Sequence, residues 1–210
     1  MEIAVAIAAV FLIGSTPFGL VVSRIFYKTD IRKAGSGNIG AMNALRSLGK
    51  RGAIAVLILD VAKGLIPLAL FMGYCTIFLS AHSACFALGA LLAAAAVLGH
   101  CFSPWLKFKG GKGVATSFGV LFALSWPAGL VAIAGWLVGA LATSYSSVGS
   151  ILAHLAAPLA LWYFTRNPWV TGYGIFAAVL ILYTHRENLR RLRAGQEQGI
   201  GFLRRNGRGS

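Results

Sequence analysis

The sequence predicts an all-α integral membrane protein with seven transmembrane helices, its N-terminus outside and its C-terminus in the cytoplasm. Of the 210 residues, 58% are hydrophobic and only 11% are charged, and the mean hydropathy is +0.76. Soluble domains carry about 25% charged residues. Residues 64–106 and 113–165 contain no Asp, Glu, Lys or Arg, and uncharged stretches of about 20 residues or more are typical of membrane-spanning helices.

The first predicted span begins at Ile3. Glu2 precedes it, whereas Arg24 and Lys28 follow it. A cleaved signal peptide has its positive charges before the apolar run. We therefore expect a retained first helix whose N-terminus lies outside, because positively charged loops stay in the cytoplasm.

Most of the basic residues form three groups, near residues 28–51, 107–112 and 186–208. The positive-inside rule places all three groups in the cytoplasm, so an even number of spans must separate each pair. The net charge of +14 is then explained by topology and by attraction to anionic lipid. Membrane lipid is the expected environment, and neither a nucleic-acid partner nor an obligate protein partner is expected.

The spans are predicted by combining these charges with the apolar stretches. Residues 53–106 fit two spans with a turn near residues 73–81, and residues 167–185 fit the last span. An even count then requires three helices within residues 113–165, so that at least one of them must be short.

Two segments rich in polar residues or proline, 125–127 and 143–147, are the natural breaks between those three helices. The helix before the first break, from Val114 to Leu124, is only about 16 Å long at 1.5 Å per residue. The hydrocarbon core is about 30 Å thick. We therefore predict that the loop around Lys112 dips below the membrane surface, where a helix N-terminus is a good anion site.

Residues 1–194 are predicted to form a single membrane domain, and residues 195–210 a basic cytoplasmic tail in which residues 207–210 are typical of an appended remnant. The three cysteines, Cys75, Cys85 and Cys101, show no disulfide or metal spacing. We expect them to be apolar packing residues, and no metal ion or cofactor is expected.

The first candidate site segment is the cytoplasmic stretch 35–46. Its glycines permit tight backbone turns, and Gly37 is expected to be one of the phosphate-binding residues. Ser36, Asn38 and Asn43 offer neutral donors, and Arg46 offers a planar charged fork that suits phosphate. The alternative interpretation is an ordinary polar turn that caps the following helix.

The second segment surrounds Lys112, with Gly110, Gly111 and Gly113 beside it. Glycines let a backbone wrap an anion, and lysine neutralises the charge. The segment is not a nucleotide-binding Walker A loop, because Leu106 stands where its first glycine would be and no Ser or Thr follows the lysine. A basic loop that only sets the topology is the alternative.

The third segment begins at His185, whose imidazole titrates near neutral pH and can act as a base or a phosphate ligand. Asn188 lies one turn later on the same helix face. The alternative is a helix end with snorkelling charges. Ser150 is a weaker candidate, because a serine in a membrane helix often bonds its own backbone.

Two charges are predicted inside the second span. Asp60 and Lys63 are three residues apart, a spacing that allows an ion pair on one helix face. Intramembrane charges face the protein interior, and we expect this pair to be structural or positioning. His100, near the end of the following span, is expected to shape the loop or line the site without a catalytic role.

Together these segments resemble the bacterial acyl-phosphate-dependent glycerol-3-phosphate acyltransferases, the PlsY family. The stretches that carry the resemblance are residues 35–40 with Asn43 and Arg46, residues 59–60 with 63–64, residues 99–116, and residues 185–188. An H-x-x-x-x-D pair, the mark of the soluble-head acyl-CoA acyltransferases, is absent from the sequence.

The resemblance implies an enzyme of the bacterial inner membrane with its active site facing the cytoplasm. It would transfer a fatty acyl group from acyl phosphate to the 1-hydroxyl of glycerol 3-phosphate, giving 1-acyl-glycerol 3-phosphate (lysophosphatidic acid) and phosphate, in the first acylation of phospholipid synthesis. The acyl phosphate is already activated, so that neither an enzyme nucleophile nor a metal is needed.

The resemblance also suggests roles for the candidate residues. Arg46 and Lys112, supported by Ser150, would bind glycerol 3-phosphate. The acyl phosphate and the developing oxyanion would lie against a second set, namely Ser36, Asn38 and the backbone of residues 110–113. His185 and Asn188 would orient the attacking hydroxyl, and the proton acceptor is either His185 or a substrate phosphate oxygen.

Three other functions fit parts of the pattern. A transporter of an organic phosphate also uses broken helices and a basic cavity. A non-catalytic scaffold would use its basic segments to bind lipid. A transferase with a CDP-linked donor is disfavoured, because the chain has no Asp-rich metal motif.

Overall fold

The computed structural model describes residues 2–78 and 82–201, and all regular structure within these ranges is helical. The helical fold class is therefore confirmed. The α-helices are α1 (Glu2–Ser15), α2 (Phe18–Tyr27), α3 (Ala41–Phe78), α4 (His82–Cys101), α5 (Val114–Leu124), α6 (Trp126–Thr143), α7 (Ser146–Thr165), α8 (Pro168–Thr184) and α9 (Arg186–Arg193). Short 3₁₀ turns occupy Ile31–Lys33 and Pro104–Leu106.

Several of these helices are long and apolar enough to cross a membrane. By length and composition they number four in the described part of the chain, namely α3, α4, α6 and α7. Helices α1 and α2, which meet at a bend of 41°, make up to one more span if they count together. Helices α5 and α8 are apolar but shorter.

The breaks predicted between residues 113 and 165 are confirmed. Helix α5 ends at Leu124, and α6 starts two residues later. Helix α6 ends at Thr143, where Ser144 takes a left-handed conformation with φ 63°. Helix α5 also has the bounds expected for the short helix, so that Lys112 lies just before its N-terminus.

The long helix α3 departs from the prediction at both ends. It begins at Ala41 and is interrupted at Gly49, whose φ of 78° is left-handed. The turn expected near residues 73–81 starts too early in the prediction, because α3 continues to Phe78 and α4 begins at His82; residues 79–81 lie outside the described residues. A glycine such as Gly73 does not end a helix in lipid, since every backbone group there needs an internal partner.

The interpretation of the cysteines as packing residues is wrong for two of the three. Cys75 and Cys85 form a disulfide with their Cα atoms 6.1 Å apart, which is within the usual range for such bonds. The separation of the cysteines along the chain did not reveal this, because the antiparallel packing of α3 and α4 brings them together. Cys101 is free and buried, as expected.

Small residues let the helices approach closely. A Cβ on Gly119 of α5 would meet the backbone of Val61 in α3, and one on Gly139 of α6 would meet Gly149 of α7. Such contacts replace the hydrophobic effect as the main cause of helix association in a membrane. The α3–α5 contact fixes the position of the Lys112 loop relative to α3.

Candidate active site

The three candidate segments meet at one end of the bundle around a cavity of about 560 Å³. Most of the predicted site residues line it, namely Ser36, Asn38, Asn43, Arg46, Asp60, His100, Lys112, Gly113, Ser150, His185 and Asn188. The cavity continues into an apolar arm lined by Leu57, Val61, Phe118, Phe122, Ile133, Trp136 and Leu137. One end is therefore polar and cationic, and the other is apolar.

Asn43 holds the first segment in place. Its Nδ2 donates to the carbonyls of Ala34 and Asn38 at 3.0 and 2.7 Å, and its Oδ1 accepts the backbone N–H of Ser36 at 2.8 Å. A Cβ on Gly35, whose φ is +56°, would collide with the Asn43 side chain. The segment is thus wrapped around one buried amide, which presents Ser36 and Asn38 to the cavity.

The glycines of the second segment have a different task from the predicted one. The N–H groups of Gly110 and Gly111 donate to the carbonyls of Cys101 and His100 at 3.0 and 3.1 Å. They satisfy the C-terminal carbonyls of α4, which have no partner within the helix. Their expected role as donors to an acyl phosphate is therefore not supported, whereas Gly113 lines the cavity.

Gly37 and Gly110 do not line the cavity. They lie in a separate depression of about 430 Å³ together with Arg32, Lys107 and Lys109. Lys112 is thus the lysine of its segment that lines the main cavity. The first turn of α5, whose N–H groups lack partners within the helix, also lines that cavity.

Lys112 connects the second segment to the third. Its Nζ donates to Oδ1 of Asn188, and its carbonyl accepts from the Thr184 hydroxyl at 3.1 Å. Burial lowers the pKa of Lys112 to about 8, an effect that the nearby carboxylate of Glu197 partly offsets and two guanidinium groups enhance. Lys112 is therefore a cation whose charge is poorly solvated and available to an anion.

His185 lies just after the end of α8 and is 3% exposed. Its Nδ1 lies 2.8 Å from the carbonyl of Ile181, which assigns the proton to Nδ1 and leaves Nε2 as an acceptor. Burial, followed by the charge of Lys112, lowers the pKa of His185 to about 3. The imidazole is neutral at physiological pH.

Sequence analysis missed Glu197. Its carboxylate accepts hydrogen bonds from Ser147 Oγ and Arg191 Nε at 2.9 and 2.8 Å and from Asn188 Nδ2, and its side chain is only 6% exposed. Burial raises the pKa of Glu197, but these hydrogen bonds outweigh burial and hold it below the ordinary value. The available signal was that Glu197 is the one carboxylate in the predicted basic tail, residues 195–210.

The segment around Glu197 closes one side of the cavity. Arg46 donates to the carbonyl of Gln198 at 3.0 Å, and Ile200, which is buried, donates its N–H to the carbonyl of Ser144 at 2.8 Å. The predicted tail thus begins with residues that belong to the site. Residues 202–210 lie outside the described part of the chain.

Ser150 follows the alternative interpretation in part. Its hydroxyl donates to the carbonyl of Ser146 at 2.8 Å, one turn earlier in α7, although the residue lines the cavity. The neighbouring Ser147 is the serine that bonds Glu197.

A buried polar cluster adjoins the cavity, and two of its members, Asp60 and His100, also line it. Asp60 Oδ1 and Lys63 Nζ are 2.8 Å apart, and Lys63 also donates to the carbonyl of Thr16 at 2.8 Å. His100 Nδ1 lies 3.3 Å from the Thr116 hydroxyl and 3.6 Å from Asp60. The cluster links α3 to the α1–α2 bend, to α4 and to α5, which suits a positioning role.

Within the described ranges, no three His, Cys, Asp or Glu side chains are grouped as metal ligands. The polar groups of the cavity are instead cations, neutral amides, hydroxyls, two imidazoles and two carboxylates, Asp60 and Glu197, each of which is paired with a basic side chain of this protein. The unpaired cations and neutral donors of this set suit an anionic head group, and the apolar arm suits a hydrocarbon chain. The arrangement is suited to an acyl group next to phosphate.

Known proteins share this sequence and architecture. Residues 4–195 match the family model described as glycerol-3-phosphate acyltransferase. The glycerol-3-phosphate acyltransferase of Nitrobacter winogradskyi is 46% identical over 198 residues, covering 94% of this chain and 95% of the relative. That of Caulobacter vibrioides is 45% identical over 202 residues, covering 96% and 89%.

Two crystal structures of PlsY (YgiH), an integral membrane glycerol 3-phosphate acyltransferase, have the same fold. The glycerol 3-phosphate form has a TM-score of 0.86 at 36% identity and covers 97% of this chain and 98% of the other. The lysophosphatidic acid form has a TM-score of 0.84 at 35% identity, with 97% of each chain covered. This chain belongs to the glycerol-3-phosphate acyltransferase family and is a multi-pass membrane acyltransferase of the PlsY type.

Proposed function

We propose that the protein transfers a fatty acyl group from acyl phosphate to the 1-hydroxyl of glycerol 3-phosphate, giving lysophosphatidic acid and phosphate. The observation that carries this proposal is the single cavity with a cationic end and an apolar arm. Relatives of the same fold have been solved in a glycerol 3-phosphate form and a lysophosphatidic acid form. The family assignment also removes the transporter and scaffold alternatives.

The two substrates share the polar end. Arg46 and Lys112, with Ser150 beside them, bind the phosphate of glycerol 3-phosphate, because guanidinium and ammonium groups form strong bonds to phosphate oxygens. Ser36, Asn38 and the N-terminal turn of α5 after Gly113 bind the acyl phosphate and the oxyanion that develops at its carbonyl.

The acyl chain of the donor lies in the apolar arm, between α3, α5 and α6. Leu57 of α3 and Leu137 of α6 are each 44% exposed, which indicates that the arm is open to the bilayer at its side. A lipid-soluble donor can therefore enter from the membrane without passing through water.

In the reaction, the hydroxyl oxygen of glycerol 3-phosphate attacks the carbonyl carbon of the acyl phosphate. A new ester C–O bond forms, and the C–O bond to phosphate breaks. His185 Nε2 accepts a hydrogen bond from the attacking hydroxyl, and Asn188 fixes its direction. Because the pKa of His185 is low, the proton passes on to an oxygen of a substrate phosphate, which is the better acceptor.

The proposal includes the topology. Seven spans result when the α1–α2 pair and α3 to α8 each cross the membrane, with the N-terminus outside and the C-terminus and active site in the cytoplasm. The basic segments lie at one end of the helices. The Cys75–Cys85 disulfide lies at the other end of α3 and α4, and disulfides persist in oxidising compartments such as the space outside a bacterial inner membrane.

The decisive experiment supplies the purified protein with glycerol 3-phosphate and either acyl phosphate or acyl-CoA. We expect lysophosphatidic acid and an equal amount of phosphate from acyl phosphate alone. Product formed from acyl-CoA, or no product with either donor, would overturn the proposal. The topology is tested with the single substitutions Lys50→Cys and Tyr74→Cys, each labelled with a membrane-impermeant maleimide. Only the cysteine of Tyr74→Cys should react from outside.

A further inference from the structure

Of the residues that line the apolar arm, Phe122 lies farthest along α5 from Lys112, and Ile133 is the one on α6 that lies nearest to the break between α5 and α6. Helix α5 runs from the polar end of the cavity toward the membrane interior, and Phe122 lies eight residues beyond Val114. At 1.5 Å per residue this distance is about 12 Å, and half of the hydrocarbon core is about 15 Å. The arm thus follows an acyl chain through most of one leaflet.

Phe122 rests on a glycine of the next helix. A Cβ added to Gly129 of α6 would lie 2.9 Å from Cγ and 3.0 Å from Cδ1 and Cδ2 of Phe122. These are the three atoms nearest to it, and all belong to the aromatic ring. Gly129 is buried, and it leaves the space that lets the ring lie back against α6 instead of across the arm.

We propose that Gly129 and Phe122 together determine the length of acyl chain that the enzyme accepts. The inference rests on the proposed use of acyl phosphate. With glycine at 129 the ring is withdrawn and a long chain passes over it toward the bilayer. A larger residue at 129 pushes the ring into the arm, so that long chains are obstructed about 12 Å along α5 from its first turn, whereas shorter chains do not reach the ring.

The test compares hexadecanoyl phosphate, whose chain is longer than the arm, with octanoyl phosphate, whose chain is shorter. In Gly129→Ala we expect the ratio of kcat/KM for the long donor to that for the short one to fall by roughly tenfold or more, as is common for one methylene in an apolar pocket. Adding Phe122→Ala to that variant removes the ring and should restore the ratio to within about twofold of the wild-type value.

Two further variants keep the result interpretable. Gly172→Ala in α8, where an added Cβ meets no atom within 4 Å, should leave the ratio unchanged. Phe122→Trp adds volume from α5 and should lower the ratio even if Gly129→Ala fails to fold. Equal losses with both donors, or no recovery in the double variant, overturn the inference. If no acyl phosphate of any length gives product, the proposed function itself fails instead.

Discussion

Lys63 and Lys112 are both withdrawn from water, but their partners differ. Lys63 lies 2.8 Å from the carboxylate of Asp60 and donates to a backbone carbonyl. Lys112 donates to the neutral amide oxygen of Asn188, and the nearest carboxylate, Glu197, lies on the far side of that amide. The first lysine is neutralised where it stands, whereas the second keeps a charge that a substrate can use.

The difference suits a structural role for Lys63 and the proposed substrate-binding role for Lys112. Burial of an ion pair costs desolvation free energy, which the attraction between its two members offsets. The charge of Lys63 is therefore already neutralised by Asp60 and does not attract a ligand. Lys112 has an unfavourable environment for its charge, as its lowered pKa shows. In the proposed role of Lys112, binding of a substrate phosphate would relieve that cost, so that part of the affinity would come from the poor solvation of the free site.

The largest expected effect is on stability, at Lys63. Replacement by Met removes the lysine partner of Asp60, a side chain that is 2% exposed, and leaves it only the His100 imidazole at 3.6 Å; removing one member of a buried pair costs about 3–5 kcal/mol. Chemical unfolding in detergent measures this change in the free energy of unfolding. The double variant with Asp60→Leu should recover most of the lost stability. If it is no more stable than the single variant, the Asp60 charge left without its lysine partner is not the cause of the destabilisation.

The next effect is on catalysis, at Lys112. Lys112→Ala removes the proposed charge partner of the substrate phosphate. The expected loss is about 2–5 kcal/mol in kcat/KM for glycerol 3-phosphate, with little change in the free energy of unfolding. Lys107→Ala is the matched control, because Lys107 lines the other depression, and it should stay within about twofold. Equal losses in both would contradict the assignment.

A smaller effect is expected at Glu197. Glu197→Ala leaves Asn188 without its charged acceptor, and such a bond is worth about 1.5–3 kcal/mol. Because Asn188 also holds Lys112, we expect a higher KM for glycerol 3-phosphate, with partial recovery in Glu197→Gln. The control is Glu187→Gln, a side chain that is 56% exposed. A fall in stability with an unchanged KM would instead indicate a purely structural residue.

The smallest effect is on the pH dependence. Since the pKa of Lys112 is about 8, the charged form prevails below that pH and is lost as the pH rises through it. The kcat/KM for glycerol 3-phosphate, which reports the free enzyme, should therefore decline above pH 8. In Lys112→Arg the guanidinium stays charged to above about pH 12, so the decline should disappear even if the activity is lower.

Much of the fold was predictable, because the bilayer makes local rules strict. The breaks at 125–127 and 143–147 and the short α5 follow from where polar residues and proline interrupt apolar runs. The members of the site were largely predictable too, since glycines, amides and cations near membrane ends point to an anion site. The exact roles of those residues were not predictable. For example, the N–H groups of Gly110 and Gly111 donate to the C-terminal carbonyls of α4.

The sequence by itself determined the helical membrane class, the breaks and the three polar segments, because hydropathy, charge and helix-breaking residues act over short distances along the chain. Only the tertiary structure decided that Cys75 bonds Cys85, that Glu197 returns to hold Asn188, and that Phe122 rests on Gly129. Each of these contacts depends on how whole helices pack against one another. That packing is fixed by small residues at many interfaces together, so that no single segment of the sequence reveals it.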